Sequence, residues 1–254
     1  MEILILAVVT LPLLTALFLK VANRFLNELL TNFITINAAL LSVAVSFFMF
    51  GYLLLDKFKP IKFELFEWYP SPQIIFEFYL DGLSGVMMIL ISGLSLVIQL
   101  FSTSYMSKDE KYTKYFEYFN FFVFSMLLLV LSGNFLVMFF GWELVGLSSY
   151  LLISFWYEKN SAAKAGNKAF ILNRIGDFGF LIGLMMILNY FETFNFVNIF
   201  ESVLIKQPSN LDLIILFLLL GAFGKSAQFP LFSWLPDAME GPTPASALIH
   251  AATM

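Results

Sequence analysis

The sequence predicts an all-α fold: a polytopic transmembrane helix bundle of about seven full spans plus a truncated eighth, with a discontinuous seventh helix. Three observations predict it. Of the 254 residues, 60% are hydrophobic and 13% charged, and mean hydropathy is +0.85, whereas soluble domains are about half apolar and a quarter charged. Apolar runs long enough to cross a hydrocarbon core of about 30 Å recur along the whole chain, separated by short connections. Four of the nine prolines, Pro230, Pro236, Pro242 and Pro244, crowd together near the C-terminal end, where regular helix has to stop.

The runs give spans at 2–19, 29–55, 80–102, 118–132, 134–157, 169–191 and 212–230, and an eighth from Pro244. The first run follows Met1-Glu2-Ile3 without a basic start or a cleavage site, so it reads as a retained span. No presequence is seen, which for a mitochondrial protein implies synthesis inside the organelle. Asp81 opens the third span beside Gly82, the place of a helix cap. Ser132-Gly133-Asn134 divides a stretch too long for one crossing, making the fourth and fifth spans an antiparallel hairpin. In the sixth, Gly176, Gly179 and Gly183 share a face that lets another helix approach closely. Pro230 crowds the carbonyl of Ser226, so the seventh helix breaks just beyond Lys225. Thr243 and Pro244 then start the eighth, which runs for 11 residues, about 16 Å and roughly half a crossing. The chain is one transmembrane domain over 1–254, with three spans in 1–110 and the bundle of 111–254 unfinished at its C-terminal end.

Lysine and arginine counts orient the bundle. Eight (Lys20, Arg24, Lys108, Lys111, Lys114, Lys159, Lys164 and Lys168) fall on one side. Four (Lys57, Lys59, Lys62 and Lys206) fall on the other. The eight mark the cytoplasmic or matrix face. Zero Cys and a single His exclude disulfides, iron–sulfur ligation and a haem or zinc cluster. A formal net charge of −4 offers no basic surface for nucleic acid.

Charge inside the spans carries the chemistry. Glu143 lies nine residues into its span, near mid-membrane, where an ionisable group costs at least ~2.5 kcal/mol and marks an ion path or a buried pair. Lys225 is 13 residues past Asp212 and beside the helix break. A desolvated lysine releases its proton readily, and a carboxylate holds it, so opening and closing a Glu143–Lys225 pair would move a proton; a static pair joining two helices is the alternative. His250, about six residues into the eighth span, suits a proton relay, with a packing role equally open. Arg174 and Asp177 are three apart and pair locally, either biasing the first pair or neutralising each other.

These residues stand in recognisable strings: Leu80-Asp-Gly-Leu-Ser-Gly-Val-Met-Met88, Gly141-Trp-Glu-Leu-Val-Gly-Leu-Ser-Ser-Tyr-Leu-Leu152, Asn173-Arg-Ile-Gly-Asp-Phe-Gly179, and the long run from Gly224-Lys-Ser-Ala-Gln-Phe-Pro to Met254. Together they resemble the chain 5 family of proton-pumping NADH:ubiquinone oxidoreductase, respiratory complex I, over its N-terminal half. The resemblance implies an antiporter-like membrane-arm subunit. Glu143, Lys225 and His250 would form its proton path, and Arg174 and Asp177 a tuning ion pair. It implies no cofactor or metal in this chain, with NADH, FMN, iron–sulfur clusters and quinone in partner subunits.

The family continues through a second bundle and a lateral helix that this sequence lacks. The expectation is therefore a second polypeptide carrying the missing C-terminal half, from a split gene, beside membrane lipid and neighbours such as chain 4; an incomplete sequence is the alternative. The Phe-rich composition leans toward the mitochondrial inner membrane over a bacterial plasma membrane. Two other functions stay open: a subunit of a multi-subunit sodium/proton antiporter, and a structural membrane scaffold.

Overall fold

A computed structural model describes residues 1–70, 73–205 and 208–253. Lys206 of the charge count and Met254 of the last string lie outside the described residues. The chain forms α1 (Glu2–Ala22), α2 (Glu28–Leu55), a two-stranded antiparallel hairpin of β1 (Ile61–Pro70) and β2 (Gln73–Leu80), α3 (Gly82–Tyr105), α4 (Tyr112–Val130), α5 (Phe135–Ile153), α6 (Asn160–Phe191), a short α7 (Phe196–Ile205), α8 (Leu211–Lys225), two 3-10 turns (Phe232–Trp234 and Asp237–Glu240) and α9 (Thr243–Thr253).

Five of these helices, α1, α2, α3, α5 and α6, are long and apolar enough to cross a membrane. With them the chain is a mostly helical bundle of the polytopic kind. α4 packs against α1, α2, α3, α5 and α9, and its Tyr115, Phe116, Phe119 and Phe122 are fully buried. Enclosed by protein, it can carry Asn120 and Ser125 inside, each bonded back to its own helix. This lowers its hydropathy without exposing a polar group to lipid.

The expected starts are made by capping. Asp81 accepts from the Ser84 amide at 2.8 Å while the Ser84 hydroxyl accepts from the Asp81 amide at 2.7 Å, a reciprocal box that fixes the first turn of α3. Asn134 accepts from the Val137 amide at 2.9 Å and starts α5 directly after the turn from α4.

Two departures from the sequence reading have plain causes. Within residues 56–79, expected as a connection, 61–70 and 73–79 pair as β-strands; alternation in Ile61-Lys-Phe-Glu-Leu suits a pleated backbone whose polar groups bond across the pair. The sixth span, expected from 169, begins at Asn160 as a helix of 32 residues, about 48 Å long, because Ala162, Ala163 and Ala165 carry the helix on past the apolar segment. Hydropathy reports where the lipid ends, and helix propensity does not stop there.

The hairpin is tied down by one carboxylate. Glu77, 2% exposed, accepts from Asn195 Nδ2 at 2.7 Å and Asn134 Nδ2 at 3.3 Å through one oxygen, and its other oxygen lies 2.8 Å from Lys62 Nζ. It thereby joins β2, the α4–α5 turn and the segment before α7. Burial pulls Lys62 down, but its hydrogen bonds to Glu77 and Glu64 prevail and hold it above the ordinary lysine value. Its contribution to stability is therefore complete below about pH 10 and lost only as pH rises through the raised pKa.

The glycine face of α6 packs on α8. A Cβ on Gly176 would stand 3.1 Å from the Gly224 Cα, one on Gly179 2.6 Å from the Leu220 side chain, and one on Gly183 3.0 Å from Leu218. These glycines pack two backbones together, and that approach brings Asp177 and Lys225 side by side.

Candidate functional site

α5, α6 and α8 converge on four charged side chains. α8 ends at Lys225, five residues short of the expected 230, and the chain turns at Ser226 and Ala227 before the two 3-10 turns. The break falls just beyond the lysine, as Pro230 predicts. Trp234 folds back to donate from Nε1 to the Gly224 carbonyl at 3.0 Å, satisfying one acceptor freed by the helix end. Lys225 is 4% exposed, on the C-terminal turn where the helix dipole favours a cation.

Asp177 is 3% exposed. Its Oδ1 accepts from Trp142 Nε1 at 2.7 Å, while its Oδ2 lies 3.8 Å from Lys225 Nζ and 3.8 Å from Arg174 Nη1. Arg174 reaches across to α5 and forms an ion pair with Glu143. The row therefore reads Glu143, Arg174, Asp177, Lys225, alternating in sign and formally neutral, which offsets the cost of burying Asp177 and Lys225 beside the half-buried Glu143 and Arg174.

This corrects the expected pairing. The sequence reading joined Glu143 to Lys225 and Arg174 to Asp177; the structure keeps the second contact but gives Glu143 to Arg174 and Lys225 to Asp177. The reason is where Lys225 meets α5. Its ammonium packs against Gly146, where any Cβ would collide with it, one turn and about 4.5 Å past Glu143. The longer guanidinium of Arg174 bridges that gap.

His250 is half-buried on α9, which packs against α3, α4 and α5. Near the first turn of α9, Tyr105 and Thr243 hydroxyls lie 3.2 Å apart, and Ser161 donates to Glu240 at 2.9 Å. The 3-10 turns are further held by Lys168 to Asp237 at 2.7 Å.

Sequence reasoning missed two residues of this site. Trp142 supplies the one side-chain hydrogen bond that Asp177 receives among the described residues, and Gly146 supplies the space for the ammonium. Their signal was adjacency: an N–H donor next to a mid-membrane glutamate, and a glycine one turn on, where a larger residue would pack lipid better.

A helical membrane bundle with alternating charges at a helix break defines the class of antiporter-like membrane subunits. Residues 132–254 match the family model for NADH:quinone oxidoreductase/Mrp antiporter transmembrane segments, and 68–116 match that for the complex I chain 5 N-terminus. The chain belongs to this family, and within it is homologous to NADH-ubiquinone oxidoreductase chain 5 and bacterial subunit L. It is 42% identical to chain 5 of Metridium senile over 97% of its own length and 41% of the relative's, and 40% identical to subunit L of Rickettsia bellii over 97% and 40%. The chain thus spans about two-fifths of the length of these curated relatives. The fold also matches a subunit of an archaeal membrane-bound sulfane sulfur reductase, with TM-score 0.84 and 22% identity over 98% of this chain and 51% of that one. It matches a chain of the Mrp complex from Dietzia sp. DQ12-45-1b, with TM-score 0.81 and 24% identity over 97% of this chain and 26% of that one. At such identities the likeness concerns fold alone.

Proposed function

We propose that this chain is the N-terminal portion of a proton-translocating membrane-arm subunit of a respiratory NADH:quinone oxidoreductase. The carrying observation is the row of alternating charges from Glu143 to Lys225, with its buried end cation at the break of α8. Lys225 is the group that gains and loses a proton. While it is charged, Asp177 Oδ2 holds it; when it is neutral, that oxygen is left to Arg174, and the hold of Arg174 on Glu143 weakens. Arg174 and Asp177 thereby pass the charge state of Lys225 to Glu143, and His250 continues the path toward the rest of the bundle.

In this reading α4 and α8 also cross the membrane, giving seven spans, and α9 is the first part of an eighth. The first three spans form one part and residues 111–254 the first antiporter-like bundle. NADH, FMN, iron–sulfur clusters and quinone reside in partner subunits, and none in this chain. A chain-4-type subunit is a neighbour, and the remaining three-fifths of the relatives' length is supplied in the same or a second polypeptide. The membrane is the mitochondrial inner membrane, with a bacterial plasma membrane the alternative. The family model named for Mrp antiporters favours a second reading, cation exchange without NADH.

The test is Lys225→Met in the assembled complex. NADH-driven proton uptake by vesicles is expected to fall severalfold in protons per electron, while NADH oxidation by ferricyanide is unchanged. An unaltered proton-to-electron ratio would overturn the proposal. Sodium-dependent proton release without NADH would move the chain to the second reading. Intact-mass analysis of the NADH-oxidising band from a native gel shows whether the remaining length is in the same chain.

A further inference from the structure

A cavity of about 670 Å³ opens between α1, α4 and α5, away from the charged row. Its lining is graded with depth. Lys20 stands in the last turn of α1 and Lys114 in the first turn of α4, so both ammonium groups mark the same end of the bundle. Seven residues deeper on each helix, about 10 Å, the wall is apolar, with Leu13 on α1 and Phe121 on α4, and Leu147 adds to it from α5. Glu117 lies one turn below Lys114, half-buried between the cations and the apolar wall.

Each part of this gradient calls for a different piece of one molecule. Two lysines at a membrane rim attract a phosphate. Leucine and phenylalanine below them match acyl chains. A carboxylate on the wall between repels a purely anionic headgroup, yet it accepts a primary ammonium with charge-assisted hydrogen bonds. A headgroup that carries both a phosphate and an ammonium satisfies all three, whereas a phosphatidylglycerol leaves Glu117 facing hydroxyls, and a choline brings a cation without N–H donors.

We propose that this cavity is a binding site for an aminophospholipid of the phosphatidylethanolamine class. Its phosphate lies between Lys20 and Lys114, its ammonium on Glu117, and its chains against Leu13, Phe121 and Leu147. The cavity shares α5 with the row from Glu143 to Lys225 but none of its residues, so its test is read separately from that of the proton path.

The experiment is photolabelling of the assembled complex in its membrane with a phosphatidylethanolamine that carries a diazirine near the head of one acyl chain. Label is expected on peptides covering residues 13–23 and 114–121. Unlabelled phosphatidylethanolamine should compete at least fivefold better than phosphatidylcholine or phosphatidylglycerol. Glu117→Gln should erase that advantage over phosphatidylglycerol, and Lys20→Gln or Lys114→Gln should each reduce labelling by about fivefold, the effect of about one surface cation on lipid affinity. Assembly of each variant is checked by NADH oxidation in the native gel band. Where a lysine variant fails to assemble, Glu117→Gln and the three-lipid competition decide. Label confined to other peptides, equal competition by the three lipids, or labelling unchanged in the assembled variants would overturn the site.

Discussion

Replacing Asp177 with asparagine is expected to destabilise the bundle by about 3–5 kcal/mol, the cost of removing one partner from a buried ion pair. The substitution keeps the shape, and its amide oxygen can still accept from Trp142 Nε1, so what is lost is charge. Asp177 is the centre of the row: its Oδ2 is 3.8 Å from both Arg174 and Lys225. Without it, two cations share Glu143 alone, and Lys225, 4% exposed, keeps no carboxylate in contact among the described residues. Unfolding in mixed detergent micelles measures the loss. The diagnostic is the double variant: Asp177→Asn with Lys225→Met removes both ends of the contact, and should be less destabilised than the sum of the singles by about 1–3 kcal/mol. Strict additivity would mean that the contact between Asp177 and Lys225 couples nothing.

The second large effect belongs to a glycine with no charge near its role. A Cβ on Gly141 would lie 2.6 Å from the backbone nitrogen of Leu129 and 2.7 Å from its Cα. Those are backbone atoms of α4, which no rotamer change can move aside, so Gly141→Ala has to prise the α4–α5 hairpin apart. Overpacking of this kind costs about 1–3 kcal/mol, and here it also shifts Trp142 and Glu143, the next two residues. Gly93 provides the contrast, because nothing lies within 4 Å of a Cβ there. Gly93→Ala should be neutral or stabilising by up to about 1 kcal/mol from helix propensity. The amount of assembled complex on native gels, compared for the two variants, checks this, and equal behaviour would refute the close approach of α4 and α5.

Much of the fold was legible because lipid is a demanding solvent. A backbone that cannot bond to water must form helix or closed sheet, so apolar length alone located α1, α2, α3 and α5 to within a few residues. The Asp81 cap was legible for a local reason, since it satisfies an amide only three residues on, whereas Asn134, read as a turn residue, caps α5 as well. The hairpin at 61–80 was not, because alternation of period two carries little hydropathy signal beside a long apolar run. Nor was α7, a helix of 10 residues too short to span.

The site was legible in its membership. The cost of an ionisable group at membrane depth singles out Glu143, Arg174, Asp177 and Lys225, because each must find a partner or a function. Their pairing was not, and neither were Trp142 and Gly146. Which carboxylate meets which cation depends on the rotation and height of three helices that are distant in sequence, and differences of about 4.5 Å, one step of three residues along a helix, decide it. The order of residues was enough to dictate a polytopic helical bundle, the break after Lys225 and the set of charges that must be reconciled, since each follows from the local chemistry of a residue against lipid. It took the assembled helices to settle that Gly176 meets Gly224, that Gly146 receives the lysine, and that Asp177 stands between two cations. Those facts come from packing between helices, where surface shape and not composition sets the contact.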